Sequence, residues 1–541
     1  MSWWRPILAA AAGLGAASAA APLEWRWMAP LAVAGLVSAA RAARLRTGAA
    51  VGLIFGLTYV LALASWMRVI GTDAWLLIGF AAAGYYAVAG AGIAVVARLR
   101  CWPLWVAAWW VTVETVMAAW PLGGFPWTRL AWTTIDTPLS RWLPWIGASG
   151  TSFVVALLGA LLGALVVALS ASLLGMRSRS AASRGLEGRQ LLLTGLGLVG
   201  LVGFPVVVAA PSLASSWESG QPSVRVAAVQ GDVPGAGNDV VAVHRQVTAN
   251  HVTATTRLAQ QLRNGDLLRP DFVLWPENST AVDPFSDAAT RSGINQATRA
   301  IGVPTLVGAI VDGRRADEVL NQGLVWNTDG TVSERYTKRH PVPFGEYIPF
   351  RKQLAGLKIG RLDMVPRDMT PGTRTRPLEI AGALVADLIC FDVAFDDSVT
   401  AQVRRGAQLV TVQTSNASFI GTAQLEQQFA ISRLRALETG RTVVVASTNG
   451  ISGVIAPDGS VVTRLRPRTT DVAMATVPLI DRQTAAVRLG PALTWMICLL
   501  GVAAVAAGAG RTRRRTAGPL HTEREQLAEA SEASAAADGS R

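Results

Sequence analysis

A few side chains able to do chemistry stand out in this sequence against a background of Ala, Val, Leu and Gly. Lys338, His340 and Glu346 fall together in 336–350, YTKRHPVPFGEYIPF. Pro341, Pro343 and Pro349 fix the backbone around them, and Gly345 is expected to allow a turn that a side chain would block, so these charges ride on a stiff loop. An ordinary solvated surface loop would also fit these residues. Composition weighs against it: among 49 Lys plus Arg, only Lys338, Lys352 and Lys358 are lysine. Where a generic positive charge suffices, the sequence writes Arg. A Lys in its densest motif is therefore read as a compact donor that can sit beside a developing oxyanion.

Two more candidates end apolar, strand-like runs. Glu277 closes DFVLWPE and Cys390 closes ALVADLIC. Each has a plainer reading, Cys390 as core and Glu277 as a cap for the turn through Asn278 and Ser279. Chemistry would use them differently. A free thiol titrates at about 8.5 and is mostly protonated near neutrality, so a nucleophilic Cys390 needs a base. Glu277 could be that base, and Lys338 could stabilise the oxyanion.

The elements that must position these groups follow an α/β pattern. Strands are expected at 224–230, 272–275, 305–311, 323–327, 384–391, 408–414 and 442–447, most of them apolar enough to be buried on both faces. Helices are expected at 240–262, 287–300 and 422–441, and a tight hairpin at 327–330 (NTDG). In such a layered core, ligands gather at the carboxyl ends of strands, where Glu277, Lys338 and Cys390 would converge.

This α/β stretch sits inside a membrane protein. With 541 residues, 51% hydrophobic and 16% charged, the chain concentrates its apolar residues before about 211 and again from 491 to 507. The runs 6–21, 25–43, 49–66, 75–97, 105–119, 145–174, 191–210 and 491–507 suggest about eight transmembrane helices. The first also fits a signal peptide, but further apolar segments follow at once and a retained helix makes the charge count work. Arg41, Arg44, Arg46, Arg98, Arg100, Arg177, Arg179, Arg184, Arg189 and the RTRRR at 511–515 then share one side, expected to be cytoplasmic. The alternate loops hold only Arg26, Arg68, Arg129 and Arg141, so the globular stretch is expected outside the cytoplasmic membrane. The net charge of +13 is read as this orientation signal, with no nucleic-acid partner. Cys101, Cys390 and Cys498 make no disulfide framework, and His244, His251, His340 and His521 are too scattered for a metal site. The loop 120–142 reads equally as an interfacial aromatic belt or a lipid-facing entrance, and 351–374 as a lid or a packed surface loop.

The motifs LWPE (274–277), 336–350, LICFD (388–392) and RALETGRTVVVASTNG (435–450) resemble those of the bacterial apolipoprotein N-acyltransferase family. So do GGFPW (123–127) and VQGDVP (229–234), and the likeness covers nearly the whole chain apart from the tail. The resemblance implies an extracytoplasmic nitrilase-like αββα sandwich, of the carbon-nitrogen hydrolase superfamily, on about eight transmembrane helices. The expected division is 1–211 transmembrane, 212–488 catalytic, 489–510 transmembrane and 511–541 a basic, then disordered, cytoplasmic tail. The implied triad is Glu277 as proton acceptor, Lys338 as oxyanion stabiliser and Cys390 as nucleophile, with Glu346 supporting. The implied reaction passes an acyl chain from a phospholipid, through a Cys thioester, to the N-terminal amine of a diacylglyceryl-cysteine lipoprotein, as the last step of its maturation. No metal or cofactor is implied.

Some residues depart from the family pattern. Phe391-Asp392 stands where Tyr-Glu or Phe-Glu is common, 416–419 reads NASF in place of a run containing Trp, and a Trp often found after VQG is missing. A membrane-tethered amidase acting on a small C–N substrate is the rival enzyme reading. A catalytically idle membrane scaffold is the other, for which only 416–419 speaks.

Overall fold

The computed structural model describes residues 2–173, 194–204, 220–238, 243–354 and 365–511. Outside them lie Arg177, Arg179, Arg184 and Arg189, both ends of the expected helix 191–210, the arginines after Arg511, the tail and the middle of 351–374.

Each of the eight apolar runs contains a helix. In order they are α1 (Trp4–Ser18), α2 (Met28–Ala40), α3 (Leu45–Leu63), α4 (Thr72–Val96), α5 (Trp102–Met117), α6 (Leu143–Leu173), α7 (Thr194–Phe204) and, late in the chain, Pro491–Arg511. Those at Leu45–Leu63, Thr72–Val96, Pro138–Ala168 and Pro491–Arg511 are long and apolar enough to cross a membrane. By contrast α1, α2 and α5 span 15, 13 and 16 residues. Local backbone turns cut two of them short: Ala42 adopts φ 55° after α2 and Cys101 adopts φ 54° before α5. Gly48, Gly52 and Gly56 recur every fourth residue on α3 and so line one face. A Cβ on Gly52 would stand 2.1 Å from the Tyr86 carbonyl oxygen of α4, and one on Gly90 2.3 Å from that of Gly48. The two backbones thus touch directly, the close approach that small residues give helices in lipid.

The bundle has two distinct ends. At one, Arg5 donates to the Ala39 and Arg41 carbonyls and Arg98 to the Ala43 carbonyl, gathering the Arg-rich loops. At the other, Gln427 of the globular part donates to the carbonyls of Ala21 (2.9 Å) and Leu63 (3.2 Å). Its Oε1 accepts from the indoles of Trp66 (3.0 Å) and Trp127 (2.8 Å).

The globular part stacks two sheets between helices. The first sheet holds β1 (Ser223–Gln230), β2 (Phe272–Leu274), β3 (Thr305–Asp312), β4 (Glu318–Trp326), β5 (Val332–Thr337) and β6 (Asp368–Met369). The second holds β7 (Leu378–Ile380), β8 (Ala383–Ile389), β9 (Leu409–Thr414), β10 (Val443–Ser447), β11 (Gly453–Ile455) and β12 (Val461–Arg464). β13 (Asp471–Pro478) returns to the first, whose order is β13-β1-β2-β3-β4-β5 with β6 beside β4. The second runs β12-β11-β10-β9-β8-β7. Their inner faces meet through Val226, Leu274 and Val325 on one side and Val385, Leu409 and Val444 on the other. α8 (His244–Arg263) and α9 (Ala288–Ile301) cover the first sheet. Val247, His251, Ala254 and Leu258 recur at helical spacing and form the buried face of α8. α10 (Asp396–Arg404), α11 (Gln424–Thr439) and α12 (Ala485–Leu489) cover the second. On that side one apolar cluster runs on from Val412 and Leu434 to Trp127, Leu143 and Val37, so the membrane helices extend the core of the globular part.

β5, β6, β7, β11, β12 and β13 lie outside the seven runs expected, and two expected strands have other bounds. The run 384–391 stops at Ile389, because Cys390 takes φ 52° and opens a 3₁₀ turn, Cys390–Ala394. The strand expected at 323–327 begins at Glu318, since its ladder with β3 runs on through the polar Gln322 and Asn321 to Val319, and Glu318 pairs with β6. The hairpin at 327–330 forms as expected, with the Asn327 amide donating to Thr331 and Gly330 at φ 87°.

Candidate active site

β2 runs parallel to β3, and β5 does too because both pair antiparallel with β4. Their carboxyl ends therefore fall on one edge, and Glu277 and Lys338 lie just beyond them. The Lys338 ammonium stands 3.1 Å from Glu277 Oε1 and 2.6 Å from Glu346 Oε1, with Lys338 1% and Glu277 3% exposed. Glu277 Oε1 also accepts from Asn321 Nδ2 at 2.7 Å, and its Oε2 accepts the Ser415 amide at 2.9 Å. These partners differ from the local turn cap that Asn278 and Ser279 suggested. Burial by itself would depress Lys338, but Glu277 and Glu346 outweigh it and hold the ammonium well above its usual range. Cys390 follows β8 in the left-handed region, a conformation rare outside Gly that clusters at functional sites. Burial pushes its thiol up to about 12 and the Glu277 charge adds to this, against the pull of Lys338 and a hydrogen bond with Thr414. The resting nucleophile candidate is thus a protonated thiol in the field of one ammonium and two carboxylates.

The loop 336–350 is tied down by side chains, and Gly345 does not make its turn. A Cβ there would meet Val342 at an ordinary 3.5 Å, and the left-handed turn is made by Phe344 at φ 63°. What holds the loop is Glu346, whose Oε2 accepts the Val342 amide at 2.8 Å, and Asp392. The fully buried Asp392 carboxylate accepts from the Tyr336 hydroxyl at 2.9 Å and the His340 amide at 3.0 Å. It ties the loop to the turn that carries Cys390, work that its shorter side chain performs from within the core. His340 points elsewhere: its ring lies 3.8 Å over Phe395, and Nε2 is 2.9 Å from Asp397.

The chain between α5 and α6 supplies another wall. Trp127 stacks on Phe391, next to Cys390, at 5.7 Å and 20°. Trp127 and Trp132 are buried, which corrects the aromatic-belt reading for these two; Trp120 alone among them is exposed. Arg129 (2.7 Å) and the fully buried Arg435 (2.9 Å) both pair with Asp396. Although burial opposes it, these guanidiniums hold Asp396 down to about 2. Glu438 accepts the Ala148 amide at 2.9 Å, where Gly147 breaks α6 at φ 65°. A cavity of about 280 Å³ lies between these parts, lined by residues including Leu122, Gly124, Tyr347, Phe391 and Phe395. In the divergent 416–419 stretch Phe419 lies edge-on to Trp66 at 5.2 Å and Asn416 donates to Gln424 and Gln428.

Asn321, Thr414 and Ser415 are the site residues that sequence reasoning missed. The first two read as polar punctuation in strands, and Ser415 contributes a backbone amide that no residue type announces. The signal available was β9 itself, whose carboxyl end falls beside that of β8.

Comparison with known proteins places two family models on the chain. The apolipoprotein N-acyltransferase N-terminal domain matches residues 12–161, and carbon-nitrogen hydrolase matches 225–486. The apolipoprotein N-acyltransferase of Mycolicibacterium smegmatis is 34% identical over 89% of this chain and 81% of its own. That of Ralstonia nicotianae is 30% identical over 94% of each. A solved amidase from Nesterenkonia sp. aligns over 49% of this chain and 92% of its own, at 21% identity and a TM-score of 0.33.

Proposed function

The chain belongs to the apolipoprotein N-acyltransferase family, and from that premise we propose that its acyl donor is a membrane phospholipid, its acceptor the N-terminal amine of a diacylglyceryl-cysteine lipoprotein, and Cys390 the carrier between them. The buried Glu277–Lys338–Glu346 cluster acting on Cys390 carries this reading. Glu277 takes the thiol proton as sulfur attacks the donor ester carbonyl. Lys338 stabilises the oxyanion, and Glu346 holds Lys338 at its post. Collapse breaks the carbon–oxygen bond, and the departing lysophospholipid oxygen takes the proton back from Glu277. The acceptor amine then attacks the thioester, passes a proton to Glu277 and leaves as an amide, and that proton returns to the thiolate.

Both substrates are lipids, so the catalytic part, taken as 212–488, must open to the bilayer. The loop 120–142 forms the membrane-side wall of that opening, consistent with its stacking on Phe391. All eight apolar helices belong to the membrane part. The Arg-rich loops lie on the cytoplasmic face of the cell membrane and the catalytic part on the opposite one. Two observations support this: the loops of Arg41 and Arg98 gather at the bundle end away from Gln427, and the positive-inside rule favours the cytoplasm for them.

Thiol labelling of intact cells tests the orientation. A Cys near Gly231 cannot replace Gly231 itself, whose Cβ would stand 2.5 Å from the His251 ring. The exposed Ala236→Cys should label from outside with a membrane-impermeant maleimide, and the exposed native Cys101 only after permeabilisation. The reverse pattern would overturn the orientation. Mass spectrometry of lipoprotein N-termini should find the N-acyl group only where this protein is present.

A further inference from the structure

Asp387 lies on β8, where strand alternation turns it with Val385 and Ile389 toward the opposing sheet. It is fully buried. Its Oδ1 accepts from the Thr411 hydroxyl at 2.8 Å, whereas its Oδ2 has no hydrogen-bond partner. Gln413 on β9, equally buried, has an Oε1 in the same condition. Both oxygens crowd one point over β4: a Cβ on Gly323 would stand 2.2 Å from Asp387 Oδ2 and 2.6 Å from Gln413 Oε1. The Gln413 amide cannot be turned over to relieve this. Its Nε2 donates to the Trp275 carbonyl at 2.6 Å, and a carbonyl can only accept. Two buried acceptors thus face one space, where each unmade bond costs about 1–3 kcal/mol. Of the two groups, only the carboxyl can bring a proton.

We propose that Asp387 is a neutral carboxylic acid in the resting protein, donating from Oδ2 to Gln413 Oε1, and that this bond positions Glu277. Gln413 links the two strand ends that hold Glu277. It grips the Trp275 carbonyl two residues before Glu277, and it lies two residues before Ser415, whose amide binds Glu277 Oε2. Burial pushes Asp387 up to about 8, with Asp392 adding to the effect. The titratable groups facing it are Asp392 and the Tyr336 hydroxyl, while Thr411, Gln413 and Gly323 carry no charge. Above that pH the bond becomes a repulsion between acceptors, and the Glu277 anchor loosens. The effect on rate rests on Glu277 as proton acceptor; the protonation of Asp387 does not.

The test uses the full chain in lipid nanodiscs. Infrared spectra should show a carboxylic-acid carbonyl band that titrates near pH 8 and is missing from Asp387→Asn. That variant can still donate to Gln413 and accept from Thr411, so it should keep acyl transfer within a few-fold of the parent at neutral pH. It should lose the decline in kcat that the parent shows as pH rises past 8. Gln413→Met, which removes the acceptor of the donated bond, should lower the pH midpoint of the band. A missing band, an unmoved midpoint in Gln413→Met, a parent without the alkaline decline, or a decline unchanged in Asp387→Asn would each overturn the proposal. If the band titrates but no thioester ever forms, the covalent mechanism fails while the neutral Asp387 stands.

Discussion

Cys390→Ala is expected to abolish acyl transfer, and the parent protein, given phospholipid without acceptor, is expected to gain the mass of one acyl chain on Cys390. The physical case begins with the thiol. Burial pushes it up to about 12, so at neutral pH almost none is ionised and it does not react unaided. A base must remove its proton as the bond to carbon forms, and the base proposed is the buried Glu277, anchored by Lys338, Asn321 and Ser415. Glu277→Gln keeps the shape and removes the base, so charging should slow by about 10² to 10⁴, the usual worth of general-base catalysis. Removing the nucleophile itself should cost on the order of 10⁶, the loss seen when a triad nucleophile is deleted. A diacylglyceryl peptide with a free amine should then discharge the thioester, giving ping-pong kinetics. A small-substrate amidase would not charge from phospholipid, and an idle scaffold would not charge at all. Normal transfer by Cys390→Ala would end the covalent mechanism.

How much of this could be read beforehand depended on whether a residue's type or only its surroundings carried the information. Lys338 was legible because lysine is rare in a chain that otherwise writes Arg. Cys390 and Glu277 were legible because each closes an apolar run, and parallel strands collect function at their carboxyl ends. The turn after β8 was not, since nothing in LICFD says that Cys390 takes φ 52°; packing decides that. The same holds for Gly345, where the left-handed residue proved to be Phe344. Asp387 looked like one polar residue in a strand, and only the opposing glycine shows that it faces an acceptor. Among the described residues each expected apolar run holds a helix, but the turns at Ala42 and Cys101 that cut α2 and α5 short are not registered by hydropathy.

Lys338→Arg is expected to lose most activity although the charge is kept. The ammonium sits between Glu277 Oε1 at 3.1 Å and Glu346 Oε1 at 2.6 Å, and its residue is 1% exposed, so the space is that of a point donor. A guanidinium is planar and longer, and would displace Glu277 from Asn321 and Ser415 or push its own plane toward the thiol. Either outcome withdraws the donor from where the oxyanion develops, which typically costs about 2.7–4 kcal/mol, or roughly a hundredfold to a thousandfold in rate. The loss should appear in kcat more than in KM, because the oxyanion exists only in the transition state. The two carboxylates hold Lys338 above its ordinary 10.5, so its own titration should leave no step in the pH profile below that value. Lys338→Met tests the same geometry from the other side. It leaves Glu277 and Glu346 facing each other without a cation, which favours a shared proton and weakens Glu277 as a base, so its loss should exceed that of the Arg variant. Near-parental rates in the Arg variant, checked by stopped-flow charging with phospholipid, would show that the position asks only for positive charge.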